Sequence, residues 1–340
     1  MSQKFRLTAT RRKSTWGTAS AKCLALASFA MALSLNSHAE SVNLIFAGDI
    51  MLDDGPGRLI ARGGDPLAPF AAILNAADYR IGNLECPIAE SGTALDNKIF
   101  SFRAKPQVLP VLQGRFDAVS LANNHSGDYG HPAFLDTMLH LDKAGIAHFG
   151  GGRNLGEAHR PLWIERKGLK IAVLAYNEFK PRSFEAGANW PGIAWSEDDH
   201  VIADIRAARL AGADLVIPFM HWGWENEGKP SLRQQQLARK MIDEGAALVV
   251  GGHPHVTQGV EIYQGKPIIY SLGNFVFDGF DYAAGQRGWL LRLKLDKSGV
   301  IFWDTLAAQM DDDGTPHPVS GTFTPCGRGG EALVSECQNP

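Results

Sequence analysis

The sequence has no excess of basic charge. Its 340 residues carry 33 lysines and arginines against 36 aspartates and glutamates, a formal net charge of −3. A basic patch is the electrostatic footprint of nucleic-acid binding, so that class of partner is excluded. Five of the 33 basic residues moreover fall in the first 13 positions, as Lys4, Arg6, Arg11, Arg12 and Lys13, and the remainder of the chain is correspondingly more acidic. Long apolar runs are also missing: "CLALASFAMALSL" at 23–35 is too short to span a bilayer comfortably. There is no internal repeat and no low-complexity linker. Cysteine is scarce, with four in all.

What is present begins with an N-terminal targeting pattern. The basic stretch and the apolar run are followed by Ser37-His38-Ala39, a small-x-small site. Residues 1–39 are therefore expected to be a signal peptide cleaved after Ala39. A retained membrane anchor is the alternative. "TRRKSTW" at 10–16 admits the twin-arginine route beside the general one. Either delivers the protein outside the cytoplasm, to a periplasm or cell envelope. Cys23 leaves with the signal. Cys326 and Cys337 sit close together in the tail and are expected to form a disulfide in that oxidising setting. Cys86, left over in an apolar context, reads as an inert buried thiol.

Past residue 40, strand-like and helix-like segments alternate. "SVNLIFAGDIML" (41–52) is a buried strand that delivers Asp49 to its C-terminal end. "ADYRIGNLECPI" (77–88) repeats the plan with Asn83 and Glu85, and "FDAVSLANNHSGDYG" (116–130) with Asn123, Asn124 and His125. The spacing of Phe134, Leu135, Met138, Leu139 and Leu141 predicts a helix over 131–145 that stops at Gly145. Strands are read at 170–179, 213–225, 247–256, 266–277 and 288–296, with an amphipathic helix at 231–245. Such alternation indicates an α/β protein. Beyond about residue 305 the periodicity fades, so 40–305 is read as one domain and 306–340 as a tail.

The polar residues fall at one kind of place. Asp49, Asn83 and Glu85, Asn124 and His125, His221, and His253 and His255 all lie just past apolar strands. That edge is where α/β sheets bind ligands. Read singly, Asp49 is a cap or turn carboxylate, Glu85 a surface charge, Asn124 a turn former and His125 a core histidine. Read together they supply a bridging carboxylate, terminal ligands and a group to protonate a leaving oxygen, the parts of a two-metal hydrolytic site. In "GGHPHV" (251–256) the glycines allow a close turn and Pro254 stiffens it around two imidazoles, which suit divalent metals. Arg103 has the fork to clamp a carboxylate or phosphate, with a surface ion pair as the alternative. Glu225 reads as a partner that orients His221 or as a strand-end charge. Asn274 faces the cleft or makes a turn, and Asp128 holds its loop by an Asx-type turn. Arg103, Glu225 and Asn274 are thus the candidate substrate-binding residues.

The stretches "FAGDIML", "GNLECPI", "FSFRAKP", "SLANNHSGDYG", "PFMHWGWE", "GGHPHVTQGVE" and "IIYSLGNFVFD" span about 45–278. They resemble the CapA family of poly-γ-glutamate capsule biosynthesis, itself similar to the calcineurin-like metallophosphoesterases. The resemblance implies a four-layer α/β/β/α sandwich with its site at the C-terminal ends of the strands, and one or two divalent ions (zinc, manganese or iron). It implies that Asp49 and His255 hold the first metal, and that Asn124, His221 and His253 hold the second. Glu85 is the implied bridge, Asn83 the alternative, and His125 the general acid. Met51 stands where a first-metal histidine is usual, and "GNLE" also departs from the pattern; both weaken the first site. The implied activity is that of an exported metal-dependent hydrolase. It would act in synthesis, release or processing of poly-γ-glutamate or a related envelope polymer, beside other envelope biosynthesis proteins. A general periplasmic phosphoesterase and a non-catalytic protein that binds or anchors an anionic polymer are the alternatives.

Overall fold

Alternate residues of the first apolar run face opposite ways. In the computed structural model, which describes residues 40–96, 98–332 and 337, this run is strand β1 (Val42–Ile50). Val42, Leu44 and Phe46 enter one apolar cluster, and Ile45, Ala47 and Ile50 another. A strand buried on both faces needs no polar alternation, which is why the segment reads as an unbroken hydrophobic run. Strand β7 (Leu169–Asn177) divides likewise, with Ile171, Val173 and Ala175 opposite Ala172, Leu174 and Tyr176. One cluster therefore lies between two sheets, and one more lies outside each.

The first sheet is built on parallel strands β1, β2 (Tyr79–Leu84), β3 (Ala118–Ser120) and β4 (Ala147–Phe149). On the far side of β1 it continues antiparallel through β14 (Arg287–Asp296), β15 (Gly299–Met310), β17 (Thr324–Arg328) and β18 (Glu331–Ala332). Two short strands, β13 (Asn274–Val276) and β16 (Pro316–Pro318), join β1 and β15. The second sheet runs in the order β11 (Thr257–Tyr263), β12 (Lys266–Leu272), β10 (Val249–Gly252), β9 (Leu215–His221), β7 and β6 (Leu162–Arg166). Its inner strands β12, β10, β9 and β7 are parallel. A separate ribbon pairs β5 (Gly151–Gly152) with β8 (Gly192–Ile193).

Helices cover the outer faces. Residues of α2 (Ala71–Asn75), α3 (Leu109–Leu112) and α4 (Gly130–Ala144) pack on the first sheet, with Ile60 of α1 (Asp54–Ala61) beside them. Those of α6 (Asp198–Leu210) and α7 (Leu232–Asp243) pack on the second. A further short helix, α5, spans Leu155–Ala158. The layers are therefore α/β/β/α, the arrangement the sequence resemblance implied. Helix α4 ends at Gly145, whose φ of 70° takes the left-handed conformation that terminates helices. Helix α7 opens with Ser231 and Gln234 in a reciprocal capping box.

The expected domain boundary at residue 305 falls inside β15. Leu306, Ala308 and Met310 remain buried beyond it, and β16, β17 and β18 extend the same sheet. The segment 306–340 thus carries an edge of the first sheet. Cys326 and Cys337 are joined, with Cα atoms 5.6 Å apart, and both are buried in the intersheet cluster. Cys86 is free and buried; burial pushes its thiol up to about 12, so it is an inert packing group. The signal peptide expected over 1–39 lies outside the described residues.

Candidate metal centre

The centre is assembled where the parallel strands of both sheets end. In β1, Ala47 and Gly48 lie opposite Gly82 alone, so the register with β2 shifts and Asp49 comes to lie beside Asn83. Such a bulge re-aims the side chain that follows it. Gly48 is obligatory for a second reason: a Cβ there would lie 2.0 Å from the Gly273 carbonyl oxygen. Gly252 similarly lets β10 approach Asp49, since its Cβ would lie 2.9 Å from Asp49 Oδ1. The expected close turn of the histidine loop is real and strained. His253 and His255 have φ of 94° and 57°, a conformation non-glycine residues adopt at a cost of about 1–3 kcal/mol each.

Asp49, Asn83, Glu85, Asn124, His125, His221, His253, His255 and Asn274 are all buried. The Asn83 amide donates to Asp49 Oδ1 at 2.8 Å, and the His253 backbone N–H donates to Asp49 Oδ2 at 3.1 Å. The Asn83 oxygen accepts from Asn123 at 3.0 Å, so Asn83 is committed at both ends. His221 Nε2 is 2.7 Å from Asn124 Oδ1, 3.1 Å from His253 Nδ1 and 3.4 Å from Glu85 Oε1. His255 Nδ1 bonds Asn274 Oδ1 at 2.9 Å, and its Nε2 lies 3.8 Å from Glu85 Oε1. Asn274 therefore orients His255 from within β13, in place of the turn or substrate-binding role expected of it.

Two sets of donor atoms, each within 4.8 Å of one another, emerge: Glu85 with His253 and His255, and Asp49 with Glu85 and His221. Glu85 belongs to both. Both Glu85 oxygens and His253 Nε2 are buried without a hydrogen-bond partner among the described residues. Leaving such groups unpaired costs several kcal/mol, which a divalent cation would offset. The donor set, two carboxylates and three imidazoles, fits such an ion. The grouping differs from the division the resemblance implied: His253 offers a donor atom beside those of Glu85 and His255, although its ring lies nearer His221, with centroids 4.6 Å apart, than His255, at 5.8 Å. Met51 is fully buried and its sulfur accepts from the Asp53 amide at 3.1 Å, so it is not a donor here.

The electrostatics follow from burial. Desolvation, reinforced by Asp49, pushes the Glu85 carboxyl well above its usual range. Desolvation also holds His221 down to about 3, and with the help of neighbouring imidazoles it holds His253 well below its ordinary value. For His255 burial pulls downward, but the Glu85 and Asp49 carboxylates outweigh it and hold the imidazole above its ordinary value.

A lysine unmarked by any strand pattern completes the site. Lys98 donates to the Asn124 carbonyl at 2.7 Å, lies 3.1 Å from His125 Nδ1 and pairs with Asp128. Asp128 in turn bonds His125 Nδ1 at 2.7 Å and accepts from the Phe102 amide at 2.8 Å. Asp128 is thus the orienting partner of His125 rather than only a turn former. Burial, with Lys98 adding to it, holds His125 down to about 4.

Two expected contributors lie differently. The Arg103 guanidinium binds the Ser91 and Gly92 carbonyls at 3.2 Å each and covers the Tyr129 ring, so it clamps the chain and not a ligand. Glu225 makes no bond to His221, which is oriented by Asn83 and Asn124. Instead Glu225 is exposed and lines a cavity of about 210 Å³ that opens on His125 and His255.

Residues 43–279, which include every residue of the centre, match the family described as bacterial capsule synthesis protein PGA_cap. The chain belongs to the PGA_cap family. Among similar proteins, the PGA biosynthesis protein CapA of Bacillus subtilis is 33% identical over 290 residues, covering 81% of this chain and 73% of the relative. The capsule biosynthesis protein CapA of Bacillus anthracis is 31% identical over 304 residues, covering 84% and 71%. Among solved structures, an NAD nucleotidase from Haemophilus influenzae is 13% identical with a TM-score of 0.43, covering 84% of this chain and 50% of that one. The PGA_cap match ends at residue 279, so β14 to β18 of the first sheet lie outside it.

Proposed function

We propose that the protein is an exported, metal-dependent hydrolase acting on poly-γ-glutamate or a related capsule polymer in the periplasm or cell envelope. Its membership of a capsule synthesis family supports the polymer, and the targeting pattern of residues 1–39 supports the export. The observation that carries the hydrolase reading is Glu85: a buried carboxylate, shared between two donor sets, with both oxygens unpaired among the described residues. Asp49, Glu85, His221, His253 and His255 would hold one or two divalent ions, with Asn124 beside them. A bound ion supplies Lewis acidity to the scissile group.

The chain's own residues account for the proton. Asp128 holds His125 Nδ1, and the His125 side chain lines the cavity. Hydrolysis of a γ-glutamyl amide puts a water's hydroxyl on the carbonyl carbon, breaks the C–N bond and leaves a proton for the departing amine. His125, held neutral by burial, takes that proton from the incoming water and passes it on. Asn83, Asn124 and Asn274 fix the imidazoles, and Lys98 fixes the Asn124–Asp128 loop.

The test is metal analysis of the purified protein followed by incubation with γ-glutamyl polymer. The expected result is near-stoichiometric transition metal and polymer cleavage that His125→Ala abolishes while metal content persists. Absence of bound metal, or cleavage indifferent to His125→Ala, would overturn the reading. Turnover of a nitrophenyl phosphodiester without polymer cleavage would instead assign a phosphoesterase, and polymer binding without turnover an anchoring protein.

A further inference from the structure

The pair His125 and Asp128 is seated by one loop. The base of that loop is closed by the Ala89 amide, which donates to the Ala104 carbonyl at 3.0 Å, and by the Arg103 guanidinium on the Ser91 and Gly92 carbonyls. From this base the loop is drawn onto Asp128. The Leu95 amide donates to the Asp128 carbonyl at 2.9 Å, the Phe102 amide donates to its Oδ2 at 2.8 Å, and Lys98 pairs with its Oδ1. Lys98 also donates to the Asn124 carbonyl at 2.7 Å. The Phe102 ring lies against the His125 ring, with centroids 4.6 Å apart.

Asp128 is fully buried, and the Lys98 side chain is only 16% exposed. Among the described residues, Lys98 and His125 are the only basic side chains that pair with Asp128. Arg103 is taken up by carbonyls, and His255, the other imidazole felt by His125, bonds Asn274 instead. Glu85 and Glu225 attract Lys98 from a distance, but among the described residues the carboxylate paired with it is that of Asp128. A buried carboxylate is costly without a counter-charge. The Lys98 ammonium is what supplies one here.

Matching donors to acceptors then places the hydrogens. An ammonium only donates, and an ionised carboxylate only accepts. His125 Nδ1 lies 2.7 Å from Asp128 Oδ2 and 3.1 Å from Lys98 Nζ. The shorter contact is a bond when Nδ1 carries the hydrogen, and the lone pair of the neutral ring is then on Nε2. We infer that Lys98 is a positioning residue: by holding Asp128 as a pure acceptor, its ammonium fixes His125 as the tautomer whose lone pair is on Nε2. This rests on the hydrolase reading above, in which that lone pair takes the proton of the incoming water. Without the ammonium, the buried carboxyl is best satisfied as a neutral group. Asp128 then donates to Nδ1 and the ring hydrogen sits on Nε2. The nitrogen that must accept a proton already holds one.

Two measurements test this. Nitrogen NMR of the imidazoles in the chelated protein at neutral pH reads the tautomer of His125, whose signals are identified by their loss in His125→Gln. The wild type is expected to show Nε2 without a hydrogen. Lys98→Met, checked for a cooperative melting transition, is expected to show Nε2 with one. In Lys98→Ala, added propylammonium replaces the missing stem and head and is expected to restore the wild-type signals. A hydrogen on Nε2 in the wild type, or a tautomer indifferent to Lys98→Met, would overturn the inference. The second measurement is turnover of γ-glutamyl polymer by the metal-loaded protein. Lys98→Met is expected to lower kcat about 100-fold and to leave KM within about twofold. In an Asp128→Asn background the same change is expected to cost less than about twofold more. Equal losses in both backgrounds would sink the inference and leave the hydrolase standing. No cleavage by the wild type would remove the hydrolase, and the tautomer signals would then decide the role of Lys98 on their own.

Discussion

At the scale of single residues, Glu85 joins two opposing demands. It completes both donor sets, yet a buried carboxylate without a hydrogen bond destabilises a fold that holds no ion. Glu85→Gln is therefore expected to raise the melting temperature of the metal-free protein by several degrees. The same change should weaken metal binding by about 100-fold or more, the upper end of what supporting groups contribute. Thermal scans with and without chelator check both. Protonation gives a second expectation. Burial holds His221 to about 3 and His125 to about 4, against 6.5 for a free imidazole. Below pH 6.5 the unfolded chain takes up protons that the folded one refuses. The stability these groups contribute is thus complete above pH 6.5 and is lost as pH falls towards 3. Melting of the chelated protein between pH 7 and 4 should show that slope. Most of these donors were legible because each ends an apolar strand. Lys98 was not, because its partners Asn124, His125 and Asp128 lie 26–30 residues away across an aperiodic loop. Arg103 and Glu225 misled for a related reason: a residue type states what a side chain can bind, and the loop path decides what it meets.

At the scale of elements, strands buried on both faces announced themselves as continuous apolar runs. Strands β1 and β7 were read to within a few residues, whereas the strands read at 213–225 and 247–256 overran β9 and β10 into the loops that follow them. The far edge of the first sheet was not legible. In β15 the buried Leu306, Ala308 and Met310 alternate with half-buried Ala307 and Gln309, and the strands that follow are short and rich in Gly, Pro and Thr. Their pattern is too brief for periodicity to register. The disulfide closes this edge over 11 residues and sits against the intersheet cluster. Replacing both cysteines with serine is expected to cost about 2–4 kcal/mol in denaturant unfolding. Metal content should be unaltered, since no residue of the centre lies in that segment. A parallel loss of metal would mean that the edge supports the centre at a distance.

At the scale of the whole molecule, neither sheet owns the site. Asp49 lies at the end of a strand of the first sheet and Glu85, Asn124 and His125 follow others, while His221 ends a strand of the second and His253 follows another. In the chain the first group lies before residue 130 and the second after residue 220. Fragments 40–212 and 213–340, expressed separately, are each expected to retain no stoichiometric metal, and mixing them should restore it. A fragment that retained metal alone would show the donors to be a local device. The meeting of Gly48 with Gly273, one from each half of the chain, then has a temporal consequence. A ribosome-bound or threading chain possesses half a chelator and must release most of its length before it owns a whole one. Metal capture at this centre would in this sense be the last act of biosynthesis, coupled to completed folding. Any ion held by these donors would accordingly be acquired where folding finishes, because no half of the chain offers the full set beforehand.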